Sequence, residues 1–271
     1  MERHMIPNIL SIAGSDPSGG AGIQADIKAI SANGGYAMSV LTALTAQNTR
    51  GVRAVSLCDT DLIAAQIAAL RDDIRIDAIK IGMLGDAAII ECVAGGIDGL
   101  DCPVVLDPVM VAKGGDRLLE EAAVSALRTL LPRADLITPN LPEAADLLGC
   151  DEAETLDQMR EQAHALLALG PRAVLMKGGH LKGDQSPDML VTRHDELRFD
   201  APRIATSNTH GTGCTLSSAL ATGLGMGLPL PEATRRAKAY LSGALAAADR
   251  LSVGSGHGPV HHFHAYHEDD Q

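Results

Sequence analysis

The sequence predicts an α/β fold in which a mostly parallel central sheet is flanked by helices on both faces. Short β-branched or apolar runs alternate along the 271 residues with longer segments of helical period, which is the pattern of βαβ units. Polar residues also collect directly after several predicted strands, where open α/β sheets bind their ligands. No repeat, linker or low-complexity segment divides the chain, so we expect one domain over residues 1–271.

Periodicity and the residues typical of turns and helix caps define the predicted elements. A strand at residues 8–13 leads through the glycine-rich segment 14–22 into a helix at residues 23–32. Further strands are predicted at residues 36–44, 78–81, 104–106, 136–138 and 173–176, and a hairpin at 188–191 and 196–199 is expected at a sheet edge. The other helices are predicted at residues 60–70, from 86 onward, and at 155–169, 215–224 and 231–251.

Composition and charge limit the function classes. The chain is 46% hydrophobic, which is enough for a sizeable core, and its formal net charge of -12 gives no general attraction to nucleic acid or anionic lipid. Five widely spaced cysteines and the lack of a signal segment or of an apolar run of about 18 residues indicate a soluble cytoplasmic protein. An anionic substrate must therefore be held by a local device, such as a helix N-terminus or a metal ion.

One such device is predicted where Gly211-Thr212-Gly213-Cys214 opens a helix of small residues. The first N–H groups of a helix have no intrahelical partner, and the helix dipole favours negative charge there. Glycines also allow phosphate oxygens to approach the backbone closely. The segment is thus a candidate anion hole for phosphoryl transfer, with a simple tight turn as the alternative.

Cys214 at this helix start could act as a base or as a nucleophile, because a helix N-terminus lowers the pKa of a thiol. His210 stands four residues earlier, so a Cys–His hydrolase is a second hypothesis from another reaction class. A small buried cysteine that only fills space is the third.

Three further charged residues follow predicted strands or lie just beyond them. Asp107 and Glu143 are placed where carboxylates could hold Mg²⁺ beside ATP phosphates, although each taken alone is more typical of a helix cap or a first-turn acid. Lys177 ends a third strand and could reach a transferring phosphoryl group. The first glycine loop is not a Walker A sequence, whereas Asp26 and Gln47 could bind a heterocycle.

Together these segments resemble the hydroxymethylpyrimidine/phosphomethylpyrimidine kinases of thiamine synthesis, which belong to the ribokinase-like superfamily. The resemblance covers essentially the whole chain. It rests on residues 12–28 (IAGSDPSGGAGIQADIK), 42–51 (TALTAQNTRG), 80–85 (KIGMLG), 106–114 (LDPVMVAKG), 138–143 (TPNLPE), 177–180 (KGGH) and 208–218 (NTHGTGCTLSS).

This resemblance implies a ribokinase-like fold with a small lid around residues 45–57, and phosphorylation of 4-amino-5-hydroxymethyl-2-methylpyrimidine and its monophosphate by ATP and Mg²⁺. It also implies that Cys214 occupies the place of an Asp base in related sugar kinases and that the chain forms a homodimer. The implied pyrimidine-binding residues are Gly14, Asp26, Gln47, Met83 and Val109. The implied ATP-binding residues are Asn140, Lys177, Thr209 and Thr212. The implied catalytic residues are Cys214, Lys177, Gly211 and Gly213, and the implied metal ligands are Asp107 and Glu143.

Three other functions remain open at this point. A vitamin B6 kinase would share nearly every phosphate-site residue. A Cys–His hydrolase or acyl transferase would need a covalent adduct on Cys214. A non-catalytic pyrimidine sensor would keep Asp26 and Gln47 but could dispense with Lys177 and the anion hole.

Overall fold

A computed structural model of the chain describes residues 5–110 and 121–266. The strands of this part are β1 (Asn8–Ser15), β2 (Tyr36–Asn48), β3 (Gly51–Leu57), β4 (Ala78–Ile81), β5 (Val104–Leu106), β6 (Leu136–Ile137), β7 (Ala173–Lys177), β8 (Asp188–Thr192) and β9 (Glu196–Phe199). Its α-helices are α1 (Gly22–Ala32), α2 (Thr60–Asp73), α3 (Ala87–Gly96), α4 (Glu121–Leu130), α5 (Leu141–Leu148), α6 (Leu156–Leu167), α7 (Thr212–Gly225) and α8 (Leu230–Ala246).

One sheet joins all the described strands in the order β3-β2-β1-β4-β5-β6-β7-β8-β9. The six strands from β2 to β7 are parallel, while β3 at one edge and β8 and β9 at the other are antiparallel. The mostly parallel sheet and the edge hairpin are therefore confirmed. Because β2 and β4 lie on opposite sides of β1, the chain order reverses beside β1, and a crevice opens there at the carboxyl ends of the strands.

Helices cover both faces of the sheet, as the sequence predicts. Side chains alternate along each strand, so Ile79 and Ile81 of β4 enter the core beneath helices α2 to α6, whereas Ala78 faces α1, α7 and α8. Small residues let the second layer pack closely: a Cβ atom at Gly223 of α7 would lie 3.1 Å from the Cβ of Ala233 on α8. None of the helices within residues 5–110 and 121–266 is long and apolar enough to cross a bilayer.

Several element boundaries differ from the prediction. Strand β2 continues to Asn48 and pairs with β3, so residues 45–57, predicted as a small lid without assigned strands, form an antiparallel hairpin. Helix α7 begins at Thr212, because Gly211 with a φ of 79° forms its N-cap. Helix α5 was not predicted as an element, since its Pro142 suggests a turn, yet proline is tolerated in the first helical turn and Asn140 with Glu143 completes a capping box.

Candidate active site

A cavity of about 650 Å³ opens at the carboxyl edge of the sheet. The ends of six strands and the start of α7 supply its walls, which is where the topology places a ligand crevice. The structure brings together nearly all the predicted site residues. Those that line the cavity are Gly14, Gln47, Met83, Asp107, Val109, Asn140, Glu143, Lys177, Thr209, Gly211, Thr212, Gly213 and Cys214.

The start of α7 has the geometry of an anion hole. The N–H of Thr215 is the first in α7 that donates a bond of the helix, to the carbonyl of Gly211. In the described residues no backbone carbonyl accepts from the N–H of Gly213 or Cys214, as expected for the first turn of a helix. Both residues line the cavity, so these two donors and the positive end of the helix dipole face it.

The glycines around this turn are required by the contact between two loops. A Cβ atom at Gly211 would lie 1.8 Å from the carbonyl oxygen of Gly20, and one at Gly20 would lie 2.4 Å from the His210 ring. Gly211 also has a positive φ, which side chains disfavour. Asp16 fixes the other loop by accepting bonds from the backbone N–H groups of Ser18 and Ala21. The glycine-rich segment 14–22 is thereby held against the anion hole.

Lys177 lies between two carboxylates at the ends of neighbouring strands. Its Nζ atom is 2.9 Å from Asp107 Oδ1 and 3.7 Å from Glu143 Oε2. Burial lowers the pKa of the Lys177 ammonium, but the charges of Asp107 and Glu143 outweigh this effect and raise the pKa overall. Burial also raises the pKa of the Glu143 carboxyl, although the Lys177 ammonium opposes the shift. Lys177 is therefore a permanent positive charge beside the anion hole.

The two carboxylates suit a hard divalent cation. Thr138 and Lys177 donate to Asp107 Oδ1, and the N–H of Asn140 donates to Glu143 Oε2. Among the described residues no donor is within hydrogen-bond distance of Asp107 Oδ2 or Glu143 Oε1. Asp107 Oδ2 also lies 3.1 Å from the position that a Cβ atom on Gly213 would take. One oxygen of each acid could therefore bind a hard cation, whose preferred ligands are oxygens.

Cys214 lines the cavity but does not have the predicted thiolate character. Burial raises the pKa of its thiol to about 11, and Asp26 and Asp107 add to the shift, whereas Lys80 opposes it. The expected lowering of this pKa is therefore wrong for the ligand-free protein, because desolvation outweighs the lowering effects of Lys80 and of the Gly22 backbone N–H. Cys214 is a neutral thiol near pH 7.

His210 does not form a pair with Cys214. Its Nε2 atom lies 2.7 Å from Asp16 Oδ2 and 3.5 Å from the side-chain nitrogen of Gln47. No hydrogen bond joins His210 to Cys214 within the part of the chain that the structure describes. The activated Cys–His couple of a hydrolase is thus not present in this arrangement.

Asp26 is the one predicted site residue that does not line the cavity. Its side chain is completely buried and receives bonds from Ser11, Ser218 and Lys80. The cavity is lined instead by Lys80, which the sequence reasoning missed. A lysine in the middle of the apolar run of β4 was the available signal, since a buried charge requires a partner.

The sequence did not predict the cavity walls that come from the β8–β9 region, the segment before α7, and α8, which we call the far half of the cavity. None of these segments carries a recognisable motif. The residues concerned are Ser186, Asp188, Ala201, Pro202, Arg203, Ile204, Lys238, Leu241, Ser242 and Leu245. Lys238 Nζ lies 2.5 Å from Asp188 Oδ2, and this buried ion pair joins α8 to the sheet.

Comparison with known proteins assigns the family of the chain. The family model for phosphomethylpyrimidine kinase matches residues 16–261. The hydroxymethylpyrimidine/phosphomethylpyrimidine kinase of Escherichia coli K12 is 57% identical over 261 residues, which cover 96% of this chain and 98% of that protein.

Solved structures give the same result for the fold. The pyridoxal kinase of Bacillus subtilis, solved as an ADP complex, has a TM-score of 0.89 at 39% identity and covers 97% of this chain and 99% of its own. The phosphomethylpyrimidine kinase of Clostridium difficile has a TM-score of 0.78 at 42% identity over 88% of this chain and 99% of its own. The expected ribokinase-like fold is confirmed.

Proposed function

The chain belongs to the phosphomethylpyrimidine kinase family, and from that premise we propose that it phosphorylates hydroxymethylpyrimidine in two successive rounds. ATP is the phosphoryl donor. The first round gives the monophosphate and the second gives the diphosphate used in thiamine synthesis. The observation that carries this proposal is one cavity lined by the first residues of α7, whose N–H groups at Gly213 and Cys214 have no backbone carbonyl partner among the described residues, and by Lys177.

The near half of the cavity suits a small heterocycle. Gly14, Met83 and Val109 give it mainly apolar walls, and Gln47 supplies an amide that can donate and accept hydrogen bonds. A Cβ atom at Gly14 would lie 3.3 Å from the Met83 sulfur, so the glycine keeps this half open. A pyrimidine with few polar atoms would be oriented chiefly by Gln47.

We place ATP in the far half, and the ADP complex of the Bacillus subtilis relative supports an adenine nucleotide as ligand. We assign the phosphates to Asn140, Lys177, Thr209 and Thr212, which line the same cavity. Asp107 and Glu143 would hold Mg²⁺, which when bound neutralises charge on the phosphate oxygens and fixes their orientation.

In the proposed step the acceptor oxygen attacks the γ-phosphorus of ATP. The bond from phosphorus to the β–γ bridging oxygen breaks, and its electron pair leaves with ADP. The N–H groups of Gly213 and Cys214 and the ammonium of Lys177 stabilise the charge that spreads over the transferring group. The proton of the acceptor hydroxyl passes to the sulfur of Cys214 in molecules whose thiol has first released its own proton to solvent.

The test is to incubate the protein with Mg²⁺, ATP and hydroxymethylpyrimidine and to follow both phosphorylated products by mass spectrometry. We expect the monophosphate first and the diphosphate later. A parallel assay with pyridoxal addresses the vitamin B6 kinase hypothesis, which the Bacillus subtilis relative favours. Turnover of pyridoxal without turnover of hydroxymethylpyrimidine would overturn the proposal.

The same reaction mixtures address the covalent alternative. Intact-protein mass spectra taken during turnover should contain no phosphorylated or acylated Cys214, because transfer is direct from ATP to the acceptor. An adduct on Cys214 that forms and decays at the turnover rate would contradict direct transfer. The homodimer and the cytoplasmic location expected from the sequence stay predictions.

A further inference from the structure

A buried polar cluster lies where β1, β4, α1 and α7 meet, next to the cavity. Ser11 of β1 and Lys80 of β4 are partners in the sheet register. Asp26 of α1 packs over both, and all three side chains are completely buried. A buried ion pair is often less favourable for stability than apolar side chains of the same volume, so stability alone does not explain this cluster.

The hydrogen bonds of the cluster fix the Lys80 ammonium in place. Its Nζ atom lies 2.9 Å from Asp26 Oδ1 and 2.8 Å from Oδ2. The hydroxyls of Ser11 and Ser218 donate to the same carboxylate at 2.6 and 2.8 Å. Within the described part of the chain, the Lys80 ammonium has no acceptor besides Asp26. Four bonds to one carboxylate leave Asp26 little freedom to move.

The cluster is placed under Cys214. Ser218 follows Cys214 by four residues in α7, so the two side chains lie on the same face of the helix. Lys80 and Cys214 both line the cavity. A Cβ atom at Gly82 would lie 2.6 Å from Lys80 Nζ, so the glycine after β4 leaves the space that the ammonium occupies.

Charged groups from four elements act on the Cys214 thiol. Lys80 of β4 lowers its pKa, while Asp26 of α1 and Asp107 after β5 raise it. Lys177 at the end of β7 also interacts with it, since the charge of Cys214 contributes to the raised pKa of Lys177. Lys80 is thus a positive charge that favours the ionised form of the Cys214 sulfur.

We propose that Lys80 is a positioning residue that acts through Cys214, and that Asp26 holds the Lys80 ammonium beneath the sulfur. This inference rests on the proposed function. The ammonium increases the fraction of Cys214 present as thiolate, which is the form able to take the proton of the acceptor hydroxyl. On that transfer the sulfur becomes a thiol again, the acceptor oxygen bonds to phosphorus, and ADP leaves with the electron pair of the broken bond.

The test measures the alkylation of Cys214 by iodoacetamide in the ligand-free chain between pH 7.5 and 9.5, with peptide mass spectrometry as the readout. The alkylation rate follows the thiolate fraction in this range. Lys80→Met should slow the alkylation of Cys214 about tenfold, which corresponds to a shift of about one pKa unit. Asp26→Asn should accelerate it, because the negative charge of Asp26, which raises the pKa of the Cys214 thiol, is then removed.

The exposed Cys150 is the internal control, and its alkylation rate should be the same in all three proteins. A change in reagent access would shift both variants in the same direction, whereas a charge effect shifts them in opposite directions. Equal rates in all three proteins, or shifts of the same sign, would overturn the proposal. If circular dichroism shows that Lys80→Met does not fold, the alkylation rates of Cys214 in Asp26→Asn and in the wild type are compared instead, and a faster rate in Asp26→Asn supports the proposal. No ATP or acceptor is present, so the outcome is independent of whether the proposed kinase reaction is right.

Discussion

At the scale of single residues, Gln47 illustrates how few polar groups the acceptor half of the cavity contains. Its amide nitrogen lies 3.5 Å from His210 Nε2, and its amide oxygen lies 3.2 Å from Thr45 Oγ1. Both neighbours are held by other partners, since His210 bonds to Asp16 and Thr45 donates to the Ser15 carbonyl. The amide can therefore turn toward a ligand at little cost.

We expect Gln47→Ala to raise the KM for hydroxymethylpyrimidine by roughly tenfold to a hundredfold, the cost of about one to three kcal/mol for unpaired buried polar groups. The KM for ATP should change less than about twofold, because the Gln47 amide is in the near half of the cavity, where the hydroxymethylpyrimidine is proposed to bind. Steady-state kinetics with each substrate varied in turn provide the measurement. Equal effects on both KM values would show that Gln47 is not an acceptor-binding residue.

Asp107→Asn should increase the Mg²⁺ concentration needed for half-maximal activity, because a neutral amide attracts the cation less than a carboxylate does. We expect an increase of about tenfold or more, comparable to the loss of a charged hydrogen-bonding group. Asp135→Asn is the matched control, since Asp135 bonds to Val104 and Arg172 and does not line the cavity. An Asp107→Asn enzyme with the Mg²⁺ dependence of the wild type would indicate that Asp107 is only a structural partner of Lys177.

The contrast between Asp107 and Asp26 explains which site residues the sequence could predict. Asp107 follows a buried strand directly, and in a parallel sheet all such positions meet at one edge. Asp26 lies inside a helix, where the direction of a side chain depends on how the helix is rotated against the sheet. The motif identified Asp26 as important, but only the packing of α1 against Lys80 and Ser218 determines what it touches.

At the scale of elements, segments bounded by turn residues were predicted well and the segments around the site less so. Strands β4 and β9 have the predicted bounds, because turn residues flank them. Strand β3 was missed because most of it is exposed, so it lacks the alternation of a half-buried strand. The walls of the nucleotide half come from α8 and the segment before α7, and only the three-dimensional fold brings these together.

The hairpin of β2 and β3 is fastened to the C-terminal segment by close backbone contact. The carbonyl of Thr49, at the hairpin tip, accepts the N–H of His257, and the Thr49 hydroxyl accepts the N–H of Gly256. A Cβ atom at Gly256 would lie 2.1 Å from the Thr49 carbonyl oxygen. A side chain at position 256 must therefore separate the two segments.

We expect Gly256→Ala to release the hairpin and to raise the KM for the acceptor, because Gln47 lies on the hairpin strand β2. Hydrogen exchange at residues 48–57 should become faster, which mass spectrometry of peptides can measure. The matched control is Gly95→Ala in α3, where an added Cβ meets nothing within 4 Å. Unchanged exchange in Gly256→Ala would show that this clasp does not hold the hairpin.

At the scale of the whole molecule, the C-terminal segment connects parts that are distant in sequence. Beyond its contact with the hairpin tip, the Gly258 carbonyl accepts the N–H of His210 next to the anion hole. His262 then contacts the second helix layer, where its Nε2 atom lies 3.0 Å from Thr215 Oγ1 of α7 and its carbonyl accepts the hydroxyl of Tyr240 on α8. The segment thus links the hairpin, the anion hole and the helices behind it.

His262 makes this link sensitive to acid. Thr215 donates its one hydroxyl hydrogen to the Gly211 carbonyl at 2.7 Å, so His262 Nε2 carries the hydrogen of the bond between them. Burial, together with the charges of Lys28 and His261, lowers the pKa of the His262 imidazole to about 3. The folded protein therefore keeps this ring neutral at pH values where the unfolded chain protonates it.

The sign of the resulting pH dependence follows from proton linkage. Below pH 6.5, the ordinary pKa of histidine, the unfolded state binds a proton at His262 that the folded state does not bind, so the free energy of unfolding decreases as the pH falls toward 3. His262→Gln removes this proton while its amide can still donate to Thr215. We expect the wild type to lose about 2 kcal/mol more than His262→Gln between pH 7 and pH 5, because one pKa unit corresponds to about 1.4 kcal/mol. Urea unfolding at both pH values measures the difference, with His194→Gln at an exposed position as the control. If wild type and His262→Gln lose the same free energy of unfolding, His262 is protonated in the folded protein and the C-terminal segment is not the acid-sensitive link.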